Sequence, residues 1–285
     1  MPQGGMPLAA VTTSGAATER MPQQHSWVVP SVTSTYGTDS LDFSPVESAF
    51  VPQNKNGVLF LDVREGFELP PLNHDYQLAA MNHILRNEGR DPQTYLCPAG
   101  VITIGVGTNI SADKTLFTDV VNCDLETARK LAKGKIEAQL SPQAVEALFK
   151  ANFASIHSIV AQKCKNRGVD FTTLPPRAQI ALLDIGYIRP EWNDDIIPHL
   201  RVGNYAAASH AVSKLANNYF NSKTQRGVGI RLAKAAWLVH NATQNRGMPS
   251  NLKIFLSPQE IQSLSELAPT GVNPVIVPTK QKTKR

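Results

Sequence analysis

Three side chains able to handle a proton or a water molecule stand at fixed intervals in the chain: Glu88, Cys97 and Thr103. Eight residues separate the first two and five the second pair. A partly desolvated carboxylic acid keeps its proton near neutral pH and can deliver it to a leaving group, provided that a second polar group across a cleft orients the attacking water. That chemistry suits hydrolysis of a bond whose leaving oxygen must be protonated. Taken singly, each residue has an ordinary explanation, since a Glu usually sits on a solvated face and a Thr in a hairpin serves strand propensity. Asp91, three residues after Glu88, is a rival second carboxylate, but its place before Pro92 reads better as a turn.

Such a site needs a helix end facing a hairpin. From Asp75 the apolar positions Leu78, Met81, Ile84 and Leu85 recur at helical spacing, and Gly89 follows as a stop, so Glu88 falls at the very end of the helix. Tyr95 to Ile110 carries two glycine-containing turns and the β-branched Val101, Ile102, Thr103, Ile104 and Val106, which reads as a small antiparallel hairpin delivering Cys97 and Thr103.

Everything beyond it reads as helical. Asp124 caps a helix expected to run to about Leu140, and Ser141-Pro142 opens another that ends before Gly168. Further helices are expected near Pro176 to Ile188, Asp195 to Arg201, Tyr205 to Asn217, Val228 to Asn241 and Pro258 to Leu267, the last behind the capping box Ser257-Pro258-Gln259-Glu260. Upstream, residues 1 to about 50 are rich in Pro, Ser, Thr, Gly and Gln and read as an extended arm, while Val58 to Val63 is a strand candidate. The expected fold class is α+β, mainly α: one helix, a small β-hairpin lobe, then a helical C-terminal lobe. Residues 1–70 form the arm with its short strand, 71–245 the catalytic domain, and 246–285 an extension with one helix and a mobile basic tail.

The chain has 285 residues, 42% hydrophobic and 18% charged, and reads as a folded soluble protein without a membrane span. Met1 to His25 has neither a basic n-region nor a continuous apolar core, so no secretory signal is expected there. Cys97, Cys123 and Cys164 show no CxxC pair and no His partner at metal-ligand spacing, which argues for thiols rather than a disulfide framework or a zinc site. No metal or other cofactor is expected. The net charge of +5 is uneven: residues 1–70 carry three basic and seven acidic side chains, and the remainder is strongly basic. A basic surface favours a polyanion, whether a bacterial wall or a nucleic acid.

The run Glu88-Gly89, Tyr95-Leu96-Cys97-Pro98, Gly100 and Thr103-Ile104-Gly105-Val106-Gly107 resembles phage lysozymes and endolysins of the T-even and lambdoid type. Their pattern is Glu, eight residues, Asp or Cys, five residues, Thr. The likeness extends, more weakly, over about residues 72 to 243, where Pro176 to Gly186 looks like the helix closing one side of the cleft. Gly227-Val228-Gly229-Ile230-Arg231 with Trp237 is similar to the late glycine-arginine-aromatic segment. The resemblance implies a lysozyme-like fold and peptidoglycan as partner. Glu88 would protonate the glycosidic oxygen between the alternating amino sugars, and Cys97 and Thr103 would hold the attacking water. It further implies substrate-binding roles for Tyr95, Gly107, Thr108 and Arg231, with Arg231, or less favourably Arg226, pairing with Glu88; Tyr187, Trp192 and Tyr219 are candidates to line a sugar groove. Two departures stand out: a neutral thiol at Cys97 is a weaker partner for water than a carboxylate, and Thr108 occupies a position where these lysozymes commonly have His.

Two other readings compete. One is a wall-binding or structural module that has kept the fold and lost turnover; the other is nucleic-acid binding, disfavoured because no basic helix with interleaved aromatics is present. Under the muramidase reading, the protein is made in the cytoplasm and reaches the wall or periplasm by delivery or lysis, as a secreted antibacterial effector, a phage lytic or virion enzyme, or a bacteriocin resembling pesticin. An immunity or inhibitor protein, and a secretion or virion component held by the N-terminal arm, are the further partners implied.

Overall fold

The computed structural model describes residues 57–72, 74–97, 100–112, 114–189, 194–220, 225–244 and 256–267. The arm up to residue 56, Trp192 and the basic tail lie outside the described residues. Helix α1, Asp75–Glu88, buries Ala80, Met81 and Ile84 on one stripe and ends where the Gly89 N–H bonds Leu85 O, so Glu88 is its last residue. Three strands follow: β2 (Asp91–Leu96), β3 (Ile102–Gly105) and β4 (Thr108–Asn109), each antiparallel to the next. The expected hairpin is therefore a three-stranded meander. Tyr95 lies opposite Thr103, and Thr103 opposite Asn109.

Helix α2, Lys114–Val120, which the sequence pattern does not announce, buries Phe117 and Val120. Helix α3, Leu125–Ala132, starts at Asp124, whose carboxylate accepts the Thr127 N–H at 2.7 Å. The expectation that this helix runs to about Leu140 is corrected: it stops at Ala132, and Glu137–Leu140 forms strand β5. Glu, Ala, Gln and Leu all favour helices, but β1 (Val58–Leu61) offers a row of backbone partners and pairs with β5 in parallel, Leu61 opposite Leu140. Tertiary pairing outweighs a propensity difference of tenths of a kcal/mol per residue. The sheet order is β1-β5-β2-β3-β4.

This pairing also corrects the boundary drawn after residue 70. Leu61 O accepts the Ser141 N–H at 2.9 Å and Asp62 Oδ1 the Ser141 hydroxyl at 2.5 Å, so the chain from β1 onward is tied to the sheet and to the start of the next helix. That helix, α4 (Pro142–Asn166), is capped by Ser141 Oγ on the Ala144 N–H. After it come α5 (Pro176–Ile188), α6 (Ile197–Arg201), α7 (Tyr205–Phe220), α8 (Arg226–His240) and α9 (Pro258–Glu266). The fold is thus α+β and mainly helical.

Helix α5 is the centre of the helical part. Every residue from Arg177 to Gly186 is buried, as expected of a helix enclosed on all sides, and it packs against α1, α4 and α8. Among the described residues, no helix is long and apolar enough to cross a membrane.

Arg177, 1% exposed, holds α9 in place. Its guanidinium donates to Leu267 O at 2.6 Å, Asn241 O at 3.2 Å and Ser265 O at 3.2 Å, and lies over the Trp237 ring. An Arg177→Met variant keeps the apolar stem and leaves these carbonyls without a donor. It should lose about 3 kcal/mol of stability in urea unfolding and gain protease cleavage in α9; unchanged stability would show that α9 is held by other contacts.

Candidate active site

Glu88 closes α1 facing the β3–β4 turn, Gly105-Val106-Gly107. Its side chain retains 23% exposure, so one edge stays open to solvent. On the protein side, Arg231 Nη1 donates to Glu88 Oε1. On the turn side lies Gly107, with φ of +67°. A Cβ built there would stand 2.7 Å from Glu88 Oε2 and 2.8 Å from Cδ, so only glycine allows the carboxylate this position.

Arg231 is itself almost buried, and desolvation alone would weaken its charge. Asp184 and then Glu88 outweigh that cost and hold it firmly protonated. Its Nε donates to Asp184 Oδ1 at 2.8 Å, and Nη2 lies 2.7 Å from the same oxygen. Asp184 is wholly buried on α5. Burial opposes its ionisation, yet Arg231 and His83 prevail and lower its pKa to about 2. The second oxygen of Asp184 faces His83 Nε2 at 3.5 Å, and the same ring nitrogen meets Asn87 Nδ2 at 3.2 Å. Lys234 Nζ donates to Asn87 Oδ1 at 3.2 Å and pairs with Glu260 of α9 at 3.1 Å.

Helix α8 can place Arg231 here because of Gly229. A Cβ at that position would come within 2.9 Å of Phe220 N and 3.1 Å of Ala216 O, so the glycine permits the close crossing of α7 and α8. Arg226 is not the partner of Glu88; its guanidinium lies over the Phe220 ring.

The hairpin supplies the other wall. Because Tyr95 pairs with Thr103 and side chains alternate along a strand, Tyr95, Cys97 and Thr103 share one face. Burial raises the Tyr95 pKa, and Glu88, Cys97 and Asp91 add to the rise in that order. Thr103 is buried and gives its hydroxyl hydrogen to Val101 O at 3.2 Å, leaving its lone pairs as acceptors. Cys97 is half-buried, and its N–H bonds Val101 O. Asp91 is exposed and accepts the Gln93 N–H at 3.0 Å, but it opens strand β2 opposite Gly105 rather than sitting in the turn expected of it.

Thr108, buried in β4, brings its hydroxyl towards the Tyr187 phenol without a well-aligned hydrogen bond. Tyr187 donates to Val106 O in the glycine turn, and the Arg231 guanidinium lies 5.8 Å from its ring centroid. Its role is to tie the turn to α5 beneath the ion cluster. Tyr219 accepts from Arg189, with no contact shown to Glu88.

Glu88, Arg231 and Gly107 are therefore in direct contact, with Tyr95, Cys97 and Thr103 on the adjoining face. Sequence reasoning missed Asp184 and His83. The available signal for Asp184 was a lone charge within the apolar run Ile180 to Ile185.

A cavity of about 200 Å³ lined by His83, Arg86, Asn87, Lys234 and Glu260 does not include Glu88. An open groove of about 500 Å³ follows Leu96, Ile102 and Lys133. Leu96 and Ile102 alternate with Tyr95 and Thr103, so that groove runs along the other face of the hairpin. No protein-family model, curated protein or solved structure matches the chain.

Two outcomes follow from this geometry. Gly107→Ala should cost about 1–2 kcal/mol for a left-handed backbone and should displace Glu88 from Arg231 in a crystal structure of the variant; an unmoved carboxylate would contradict the packing described. For Asp184, the folded-state pKa lies below the ordinary 3.8. Its ionisation therefore stabilises the fold fully above about pH 4 and loses that effect as pH falls towards about 2. Unfolding free energy measured across this window should decline less steeply in Asp184→Asn.

Proposed function

We propose that the chain is a peptidoglycan muramidase cleaving the β-1,4 bond between N-acetylmuramic acid and N-acetylglucosamine. The observation that carries this reading is the Glu88 carboxylate at a helix end, fixed between Arg231 and Gly107 with one edge open to solvent beside a polar hairpin face. A polysaccharide hydrolase needs a well-held acid, and the placement of Glu88 supports that reading. The mainly helical α+β architecture, with a small sheet beside α1, is compatible with the lysozyme-like fold that the motif suggests.

In the reaction, protonated Glu88 transfers its proton to the glycosidic oxygen as the bond to the anomeric carbon breaks. Water held by the Cys97 and Thr103 side chains adds to that carbon and releases a proton to solvent. The Glu88 carboxylate left behind is stabilised by Arg231 until it is protonated again. Two carboxylates are usual in glycosidases. Here the second polar group is a thiol, a weaker hydrogen-bond partner for water than a carboxylate.

Glu88→Gln should abolish clearing of permeabilised bacteria, a loss of at least about 100-fold, while the protein stays folded by circular dichroism. Undiminished clearing would remove Glu88 from the mechanism. Cys97→Asp should keep or raise activity, because a carboxylate positions water at least as well; total inactivity of a folded Cys97→Asp protein would argue instead for covalent attack by sulfur.

A further inference from the structure

The cluster around Arg231 contains one more carboxylate than a simple acid site needs. Arg231 presents three nitrogens to two carboxylates, and the division is unequal. Asp184 Oδ1 accepts from Nε at 2.8 Å and lies 2.7 Å from Nη2, which makes no aligned hydrogen bond, whereas Glu88 meets Nη1 alone. Asp184 is fully enclosed, and the Arg231 side chain is 10% exposed. A buried ion is tolerated only when matched, and here the guanidinium is matched before Glu88 is considered. With Asp184 ionised, the pair sums to zero and the protonated, uncharged form of Glu88 leaves it balanced. Without that charge, Glu88 would be the remaining counter-ion in contact with Arg231, and an acid locked as a carboxylate has no proton to give.

We propose that Asp184 is a positioning residue of the site: by binding Nε of Arg231 at contact distance it both aims Nη1 at Glu88 and cancels the charge that would otherwise strip Glu88 of its proton. This rests on the reading of Glu88 as the general acid. The other groups near the cluster do not supply the same charge. On α1, His83 faces Asp184 rather than Glu88. Lys234 on α8 is engaged by Asn87 and Glu260. Tyr187 on α5 donates its hydroxyl to Val106 O. On the hairpin side, Tyr95, Cys97 and Asp91 are the titratable groups, and none of them can carry a positive charge.

The test is a carbon-13 carboxyl NMR titration of the full chain labelled at glutamate, with the Glu88 signal assigned by its loss in Glu88→Gln. In Asp184→Asn, which keeps the size and an acceptor oxygen for Nε, the Glu88 midpoint should fall by about one pH unit or more, the effect of an uncompensated cation at contact distance. The alkaline limb of the wall-clearing profile should move down by the same amount. His83→Gln touches Asp184 without removing its negative charge and should not lower the midpoint. An unchanged or higher midpoint in folded Asp184→Asn would overturn the proposal, as would an equal fall in His83→Gln, which would mark a structural rather than an electrostatic effect. Should the wild-type chain fail to cleave walls, the muramidase reading falls, while the titration still decides the role of Asp184.

Discussion

A guanidinium removed from water must find a counter-charge and acceptors inside the protein; Arg231 finds that charge in Asp184 and a further acceptor in Glu88, on two different helices. Asp184 comes from the middle of α5 and Glu88 from the last turn of α1, while Arg231 rides on α8. An uncompensated buried ion costs several kcal/mol, so α5 and α8 have to meet where Asp184 and Arg231 pair, and the last turn of α1 is brought to the same point by the Glu88 contact. The apolar packing of α5 against α1 and α8 and the polar cluster are therefore satisfied by a single arrangement.

The sheet is fitted to that point rather than built around it. Its β3–β4 turn touches the cluster twice, once where Gly107 makes room for the Glu88 carboxylate and once where Tyr187 donates to Val106 O. These contacts orient the face bearing Tyr95, Cys97 and Thr103. An acid held by a fixed cation on one side and a backbone turn on the other has little freedom to rotate, which is the preorganisation that proton transfer exploits.

Local rules made much of this legible from the sequence. The Ser141 and Ser257 caps, the stop at Gly89 and the end of α4 before Gly168 depend on neighbouring residues only, and they stand where the pattern placed them. The contact between Arg231 and Glu88 was likewise expected, on the strength of a motif. What escaped depends on partners far away in the chain. Glu137–Leu140 is helix-favouring in isolation and becomes a strand because β1 lies beside it, about 80 residues upstream. Asp184 reads as an ordinary polar break in an apolar helix until Arg231 is seen to face it. The departure at Thr108 has no compensating contact of its own, since its hydroxyl is buried without a well-aligned partner.

The central claim concerns a bond, and the fragments released from purified peptidoglycan report on it most directly. Hydrolysis assisted by Glu88 adds one water across each cleaved linkage, so mass spectrometry should find muropeptides ending in reducing N-acetylmuramic acid. Fragments lighter by one water would indicate internal transfer in place of hydrolysis. No fragments at all, from walls that nevertheless retain the protein, would contradict the account and leave a binding module.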